Sequence, residues 1–343
     1  MFCTSMADVA GEFGVPYYIF FTSAASDLGF ISHIQQLHDE SGFDVAEFEG
    51  NELAVPSWAR PIPRWAFPPN IVNKEWLQLL YRIARVFRRA RGILVNTVRE
   101  LESCAVDSLS FTKVHPVGPI LNLKAGAAAA GGGVPEEEAI EWLDRQPESS
   151  VVFLCFGSMG AFREEQVLEI ANGLEASGLR FLWVLRRPGP EGTDVREVLP
   201  KGFVDRTAGV GRVMGWAPQT IILAHKAVGG FVSHCGWNST LESLWFGVPM
   251  ATWPMYAEQK LNAFLLVHEL EIATEIKIDY RNGEIVTAEE VERGVRRLME
   301  RDCSREERLK KFSDCIKKAL MDGGSSSASI AEFIEGCKSS GGM

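Results

Sequence analysis

The sequence predicts an α/β protein built from two doubly wound parallel sheets, the first of them incomplete. After residue 150, short apolar runs alternate with segments of helical periodicity, as in strands joined by crossover helices. A low-complexity segment divides the chain into two parts. The first part holds only two strong strand candidates, residues 17–21 and 92–98, whereas a parallel sheet covered on both faces usually has more.

The dividing segment is rich in alanine and glycine. Residues 125–133 lack a periodic apolar face, and this composition is typical of a flexible linker. We therefore assign residues 1–123 to a partial N-terminal domain, residues 124–135 to the linker and residues 136–322 to a C-terminal domain.

The remaining elements follow from local patterns. The first part begins with a helix at about 5–13. In the second part, residues 151–156 are continuously apolar, as in a strand buried on both faces, and residues 157–160 form a turn. The same patterns predict a helix at 163–176, strands at 181–185, 230–233 and 250–253, and a helix starting near Ser239.

The composition of the chain disfavours several classes of protein. The formal net charge of −10 disfavours a nucleic-acid binder, although a local positive site for a phosphorylated small molecule remains compatible with an acidic protein. Seven cysteines, an odd number without a CxxC pair, argue against a disulfide framework and against a zinc site. We therefore expect buried thiols in a reducing compartment.

Neither a membrane span nor a signal peptide is evident, so we expect a cytoplasmic protein. No apolar run reaches the ~18 residues that crossing a bilayer requires. One helix places Arg82, Arg85, Arg88 and Arg89 opposite an apolar face. Such a face can bind membranes, but it is more often the solvated side of a packed helix.

An anion site is predicted after the strand that ends near Ser233. A tight loop containing Gly236 follows, and a helix is expected to begin at Asn238 or Ser239, both good N-cap residues. Free backbone N–H groups and the positive end of the helix dipole suit a diphosphate. In doubly wound sheets, ligands bind at the carboxyl ends of the strands, where this loop lies.

Three side chains near this loop have two interpretations each. His234 could donate to a phosphate oxygen or could be structural. Glu242 completes an S-x-x-E capping box with Ser239, which periodicity favours, but a carboxylate can also hold a ribose diol. Trp216 could stack on a flat base or fill the core, and composition favours the core.

The segment from Trp216 to Gln259 resembles the donor-binding box of plant family-1 UDP-glycosyltransferases. The match runs from Trp-Ala-Pro-Gln at 216–219 to Glu258-Gln259, and it extends over nearly all of the chain. It includes residues 117–119, 156–158, 183–184, 200–203 and 323–327. The resemblance implies two Rossmann-like domains of the GT-B type: an acceptor-side first domain and a UDP-sugar-binding second domain. Residues 323–343 would then form a terminal helix and tail that pack on the first domain.

The resemblance also implies roles for individual residues. Trp216 would stack on uracil, and the Ala217 backbone would pair with the edge of the base. The other implied contacts are Gln219 and Glu242 for the ribose; Ser158, His234, Asn238 and Ser239 for the diphosphate; and Trp237, Glu258 and Gln259 for the sugar. A glutamine at the last position goes with glucose more often than with galactose.

The implied reaction is an inverting transfer of glucose from UDP-glucose to a hydroxyl of a flavonoid, another phenolic or a terpenoid. The family uses no metal and no cofactor, and we expect a monomer that binds no nucleic acid. Residues 58–69 either line the acceptor side or simply pack. A nicotinamide-dependent oxidoreductase is disfavoured because residues 157–160 lack G-x-G-x-x-G spacing.

The catalytic pair of the family is expected to be absent. Members use a histidine base oriented by an aspartate, and that aspartate immediately precedes a segment like residues 2–6 of this chain. Both residues would lie upstream of Met1, and Asp8, His33 and His38 are not expected to replace them. The alternative prediction is therefore a truncated, UDP-sugar-binding chain with little or no catalysis.

Overall fold

The computed structural model describes residues 4–123, 134–186, 195–277 and 284–338. The chain forms two compact units. Unit 1 comprises Met1–Leu121, Tyr256–Asn262 and Phe312–Met343, and unit 2 comprises Asn122–Met255 and Ala263–Lys311. Residues 124–133, most of the predicted linker, lie outside the described residues.

The elements before that linker alternate strand and helix with two short extended segments between them. In order, they are α1 (Ser5–Glu12), β1 (Tyr18–Phe21), α2 (Ala25–Ser41), β2 (Glu52–Leu53), β3 (Ile62–Pro63), α3 (Lys74–Arg89), β4 (Gly92–Val95), α4 (Ser103–Ser108) and β5 (Lys113–Pro116). Short 3-10 turns lie at Val45–Glu47, Arg64–Ala66 and Pro69–Val72.

The elements after the linker continue the alternation. They are α5 (Val134–Asp144), β6 (Val151–Cys155), α6 (Glu164–Ser177), β7 (Arg180–Val184), α7 (Phe203–Arg206), β8 (Gly211–Met214), α8 (Gln219–Leu223), β9 (Val228–Ser233), α9 (Trp237–Phe246), β10 (Met250–Thr252), α10 (Gln259–Phe264), β11 (Ala273–Glu275), α11 (Ala288–Met299), α12 (Cys303–Ala319) and α13 (Ser325–Lys338). A 3-10 turn lies at Val195–Val198, and a π-helical turn, Leu265–Glu269, follows α10 directly.

Unit 1 contains a three-stranded parallel sheet in the order β1-β4-β5 and a separate antiparallel pair, β2-β3. The expectation of only two strands in this part was therefore wrong. The third parallel strand, β5, reads Lys-Val-His-Pro, and its mixture of polar residues and proline hides it from an apolar-run criterion.

The amphipathic helix predicted from its arginines is α3. Its apolar face is buried through Leu80, Ile83 and Phe87 among others. Arg85 bonds to Asp39, and Arg88 donates to Gln35 and to the Ser32 carbonyl, all of which lie on α2. The basic face is thus engaged by a neighbouring helix within unit 1 as well as by solvent.

The terminal helix α13 packs against β5 in unit 1. Lys113 Nζ lies 2.8 Å from a Glu332 carboxylate oxygen, and the rings of Tyr18 and Phe333 meet edge-to-face at 4.9 Å. Ser325 Oγ donates to Glu100 at 2.8 Å. The C-terminal segment is therefore part of the unit that contains the N-terminal sheet.

Unit 2 contains a six-stranded parallel sheet in the order β11-β10-β9-β6-β7-β8. The chain runs outward from β6 through β7 to β8 and then returns to start the other half at β9, beside β6. Every residue of β6 is buried, and Phe153 stacks on Phe231 of β9 at 5.2 Å. The strand order reverses between β6 and β9, which makes that crevice the place where such sheets bind ligands.

Candidate nucleotide-sugar site

The two loops that leave β6 and β9 approach each other closely at the switch point. Cys155 and Ser233 are register partners at the ends of these strands. Gly157 has a φ of 74°, and a Cβ on Gly157 or on Gly236 would stand 2.6 Å from His234 Nε2. The His234 ring therefore leaves no room for a side chain at position 157 or at position 236, and glycine is required at both.

A cavity of about 470 Å³ opens beside these loops and is lined by residues of unit 2. All sequence-predicted positions except Glu258 and Gln259 line it: Ser158, Trp216, Ala217, Gln219, His234, Trp237, Asn238, Ser239 and Glu242. Residues that are distant in sequence are thus brought to one edge of the sheet, as the carboxyl ends of parallel strands require.

Helix α9 begins at Trp237, with Gly236 as its N-cap and without a side-chain cap. The prediction that Asn238 or Ser239 is the N-cap was wrong, and both lie in the first turn. The first intrahelical bond runs from Thr240 N to Gly236 O at 2.9 Å. In any helix the first N–H groups cannot bond to a carbonyl of the same helix, so the anion site expected at this helix start stays a prediction.

Glu242 does not close a capping box, so the interpretation that periodicity favoured was wrong. Its carboxylate accepts from Gln219 Nε2 at 2.7 Å, and the same nitrogen is 2.8 Å from Ser239 Oγ. Burial raises the pKa of Glu242, and the bond from Gln219 opposes that rise. The side chains proposed for the ribose thus already form one hydrogen-bonded group beside the cavity.

His234 is neutral at physiological pH. Only 7% of its surface is exposed, and burial lowers its pKa to about 4. A neutral imidazole donates one hydrogen bond and accepts another. His234 therefore offers a ligand a directed hydrogen bond and not a positive charge.

Trp216 is 41% exposed, so the interpretation that it fills the core was wrong. It lines the cavity and leaves an indole surface available for stacking. Trp237 and Ala217 also line the cavity, but both are buried.

Two thiols lie at this edge of the sheet. Cys155 lines the cavity, and Cys235 follows His234 with a φ of 63°. Burial raises the pKa of both thiols. They are therefore small apolar fillers and not nucleophiles.

Sequence reasoning missed Arg186, which also lines the cavity. It lies just beyond β7, at the carboxyl end of a strand that the apolar run 181–185 had predicted. Its position relative to that strand was the available signal. What the sequence lacked was the strand order, which places β7 next to β6.

Glu258 and Gln259 belong to unit 1 and not to the cavity-forming unit. Glu258 accepts from Ser23 Oγ at 3.0 Å, and Gln259 Oε1 accepts from Tyr256 N at 2.9 Å. Asp27, which is buried, has its pKa raised well above its usual range by burial and by the charges of Glu258 and Glu102.

The titratable residues that were rejected as catalytic substitutes have local partners within unit 1. Asp8 bonds to Arg89 at 3.2 Å. His38 stacks on Tyr81 at 4.3 Å, and burial lowers the pKa of His33. None of the described residues form a group of His, Cys, Asp and Glu suited to a metal ion. No helix in the described ranges has the length and apolar character needed to cross a membrane.

Known proteins of one family are similar to this chain in sequence and in fold. Residues 107–317 match the family model of UDP-glucoronosyl and UDP-glucosyl transferases. Anthocyanidin 3-O-glucosyltransferase 2 of Manihot esculenta is 51% identical over an alignment of 346 residues that covers 97% of this chain and 99% of that relative. UDP-glycosyltransferase 71B2 of Arabidopsis thaliana is 50% identical over 98% of this chain and 73% of its own length.

Two solved structures have the same fold. A UGT transferase of Siraitia grosvenorii in complex with UDP matches with a TM-score of 0.90 and 48% identity, over 97% of this chain and 76% of that one. Medicago truncatula UGT71G1 complexed with UDP-glucose matches with a TM-score of 0.87 and 40% identity, over 97% and 73%. The predicted GT-B type fold is confirmed, and the chain belongs to the family of UDP-glucosyl and UDP-glucuronosyl transferases.

Proposed function

We propose that this protein transfers glucose from UDP-glucose to a hydroxyl group of a small lipophilic plant metabolite of the flavonoid class. The observation that carries the proposal is the cavity at the β6/β9 switch point, which combines the start of α9, His234, the Gln219–Glu242 pair and the exposed Trp216. Relatives named for anthocyanidin and flavonoid 3-O-glucosylation support the acceptor class.

The base, the ribose and the diphosphate of the donor would each meet a matching group in unit 2. The indole of Trp216 would stack on uracil, and the Ala217 backbone would pair with its edge. The Gln219–Glu242 pair would exchange hydrogen bonds with the ribose diol. The first turn of α9, with Asn238 and Ser239, would receive the diphosphate together with His234 and Ser158.

In the proposed reaction the acceptor oxygen attacks the anomeric carbon while the bond from that carbon to UDP breaks, so the configuration inverts. The proton of the acceptor hydroxyl passes to a general base, for which we assign no residue of this chain. The start of α9 and the donors around it would stabilise the charge that grows on the departing diphosphate. Trp237, Glu258 and Gln259 stay proposed sugar contacts on the sequence resemblance alone.

The proposal also keeps the domain assignment made from the sequence, with residues 1–123 on the acceptor side and residues 136–322 for the donor. It further includes a monomer in the cytoplasm. Size-exclusion chromatography with light scattering tests the oligomeric state.

Donor binding is tested by calorimetric titration with UDP. Replacing Glu242 with alanine removes a charged hydrogen-bond acceptor, which is worth about 1.5–3 kcal/mol and so raises Kd roughly 10- to 100-fold. Glu292→Ala is the matched control, because Glu292 pairs with Arg296 on α11 and does not line the cavity. Absence of UDP binding by the unchanged protein, or equal affinity in the Glu242 variant, contradicts the proposal.

Turnover is tested separately by incubating the protein with UDP-glucose and an anthocyanidin or a flavonol. We expect a glucoside by mass spectrometry and one UDP released per glucoside. The second candidate function is donor binding without turnover; the observation behind it is that Asp8 and His38 have local partners in unit 1. UDP binding without glucoside, across several phenols and terpenoid alcohols, would select that second function.

A further inference from the structure

We propose that Arg186 supplies the positive charge that holds the diphosphate of the nucleotide sugar. This inference rests on the proposed function, because it assigns a further residue to the same site. Arg186 is not part of the motif through which the chain resembles its family, and it enters the site through the fold alone.

Strand order places Arg186 beside the diphosphate position. The residue lies just beyond the carboxyl end of β7, and β7 pairs along its full length with β6. The loop after β6 contributes Gly157 and Ser158 to the cavity, and Arg186 lines the same cavity. The side chain therefore stands at the edge of the sheet from which the phosphate-binding loops also emerge.

The charges around the cavity do not balance a diphosphate without Arg186. His234 is neutral because burial lowers its pKa to about 4. Glu242 adds an acidic group, and a helix start contributes only about half of one positive charge. Among the described residues that line the cavity, Arg186 is the only lysine or arginine. It is therefore the one full positive charge that the lining offers to a ligand with about two negative charges.

One nitrogen of the Arg186 guanidinium group can still donate a hydrogen bond to a ligand. Arg186 Nε is buried and has no hydrogen-bond partner among the described residues. Arg212, which also buries its Nε, instead pairs through a terminal nitrogen with Glu138. A buried donor without a partner costs stability, so a phosphate oxygen that accepts from Arg186 would gain a charge-assisted hydrogen bond.

The charge of Arg186 already acts on the inner wall of this site. Burial raises the pKa of the cavity-lining Cys155; the charge of Arg186 opposes that rise, and the charge of Glu242 adds to it. The field of the guanidinium therefore reaches the carboxyl end of β6, next to the loop that holds Ser158. Arg186 could instead stack flat on uracil. In that case its removal would weaken the binding of uridine, which has no phosphate, as well as the binding of UDP.

The test is calorimetric titration of the unchanged protein and of Arg186→Gln with UDP and with uridine. We expect Kd for UDP to rise roughly 10- to 100-fold in the variant, while Kd for uridine changes less than about threefold. The UDP affinity of the unchanged protein should also fall more steeply with added salt than that of the variant. Arg296→Gln, which alters an exposed pair on α11, is the control and should behave as the unchanged protein.

Two results with Arg186→Gln would overturn the inference while leaving the proposed function intact. One is unchanged UDP affinity in Arg186→Gln. The other is an equal loss of UDP and uridine affinity in a variant with unchanged circular dichroism, which assigns the residue to the base. Arg186→Lys keeps the charge and should stay within about tenfold of the unchanged protein for UDP; a full loss in it would also contradict the inference. Failure of the unchanged protein to bind UDP removes the proposed function and this inference with it.

Discussion

The two units use the same kind of parallel sheet but stabilise it differently. Unit 2 has a six-stranded sheet whose central strand β6 is wholly buried, and the cavity lies beside the carboxyl ends of its central strands. Unit 1 has a three-stranded sheet, and a buried carboxylate holds its elements together. Glu102 accepts from the backbone N–H groups of Ala25 and Ser26, from Ser26 Oγ and from Thr97 Oγ1, at 2.5–2.9 Å.

The comparison teaches where each unit is vulnerable. A broad apolar sheet loses stability gradually as side chains are trimmed, since contacts are spread over many residues. Removing a buried charge that accepts several hydrogen bonds costs much stability in one step, because its donors are left unpaired. In unit 1, α1 and the edge strand β1 also carry exposed apolar side chains: Met6 in α1, Phe13 directly after it and Phe20 in β1. A groove of about 230 Å³ lies between α1 and β1 there.

The largest expected effect is the loss of the Glu102 carboxylate. Glu102→Ala leaves the N-terminal N–H groups of α2 buried without acceptors, and we expect unit 1 to lose about 3–5 kcal/mol of stability. Hydrogen exchange read by mass spectrometry in urea should show early opening of β1, α2 and β4 peptides, with unit 2 peptides unchanged.

The matched control is Glu100→Ala. Glu100 is exposed and bonds only to Ser325 among the described hydrogen bonds, so its removal should change stability by less than about 0.5 kcal/mol. Equal protection from hydrogen exchange in Glu102→Ala and Glu100→Ala would show that the buried Glu102 carboxylate does not stabilise unit 1.

The second expected effect is a pH dependence of unit 2. The pKa of His234 is about 4 in the folded protein and about 6.5 in the unfolded chain. Above pH 6.5 both states are neutral. Between pH 6.5 and 4 the unfolded chain takes up the proton first, so the free energy of unfolding of unit 2 falls, by up to about 3 kcal/mol in total.

His234→Gln removes the titrating group and serves as the reference. Urea unfolding of the β9 and α9 peptides, followed by hydrogen exchange at pH 7 and at pH 4.5, should show a smaller acid loss in this variant than in the unchanged protein. Identical acid losses would show that burial of His234 does not govern the acid stability of unit 2.

The smallest expected effect concerns the apolar edge of unit 1. Phe13 is 77% exposed, so Phe13→Ser should change the free energy of unfolding of unit 1 by no more than about 0.5 kcal/mol. Removing an exposed aromatic ring should nevertheless reduce self-association, measured by light scattering at high protein concentration. A clear loss of stability in unit 1 would show that the edge is packed and not solvated.

The sequence predicted the elements whose patterns are local. The run Val151–Cys155 predicts a buried strand, because a strand buried on both faces is apolar at every position, whereas a half-exposed strand alternates. Strands β8 and β11 were missed, since their residues Gly211–Met214 and Ala273–Glu275 are short and partly polar. Their assignment depends on neighbours in the sheet, which no local pattern contains.

The order of the elements around the site could be predicted from the sequence, but the hydrogen bonds between its side chains could not. The strand–glycine–helix order around Gly236 is confirmed, and the anion site expected at that helix start stays a prediction that rests on helix geometry. The partner of Glu242 was misjudged, since the nearby Ser239 looked like a cap while the actual donor is Gln219, 23 residues away. Arg186 required the strand order, which sequence periodicity does not encode.

The burial of Cys155 and Cys235 has a practical consequence for attaching probes to this protein. Maleimides and iodoacetamides react with thiolates, and burial keeps these two thiols protonated. Cys104 and Cys303 are exposed and lie away from the cavity lining. A fluorophore attached under mild conditions should therefore report on either unit without modifying the sulfur atoms behind the nucleotide pocket.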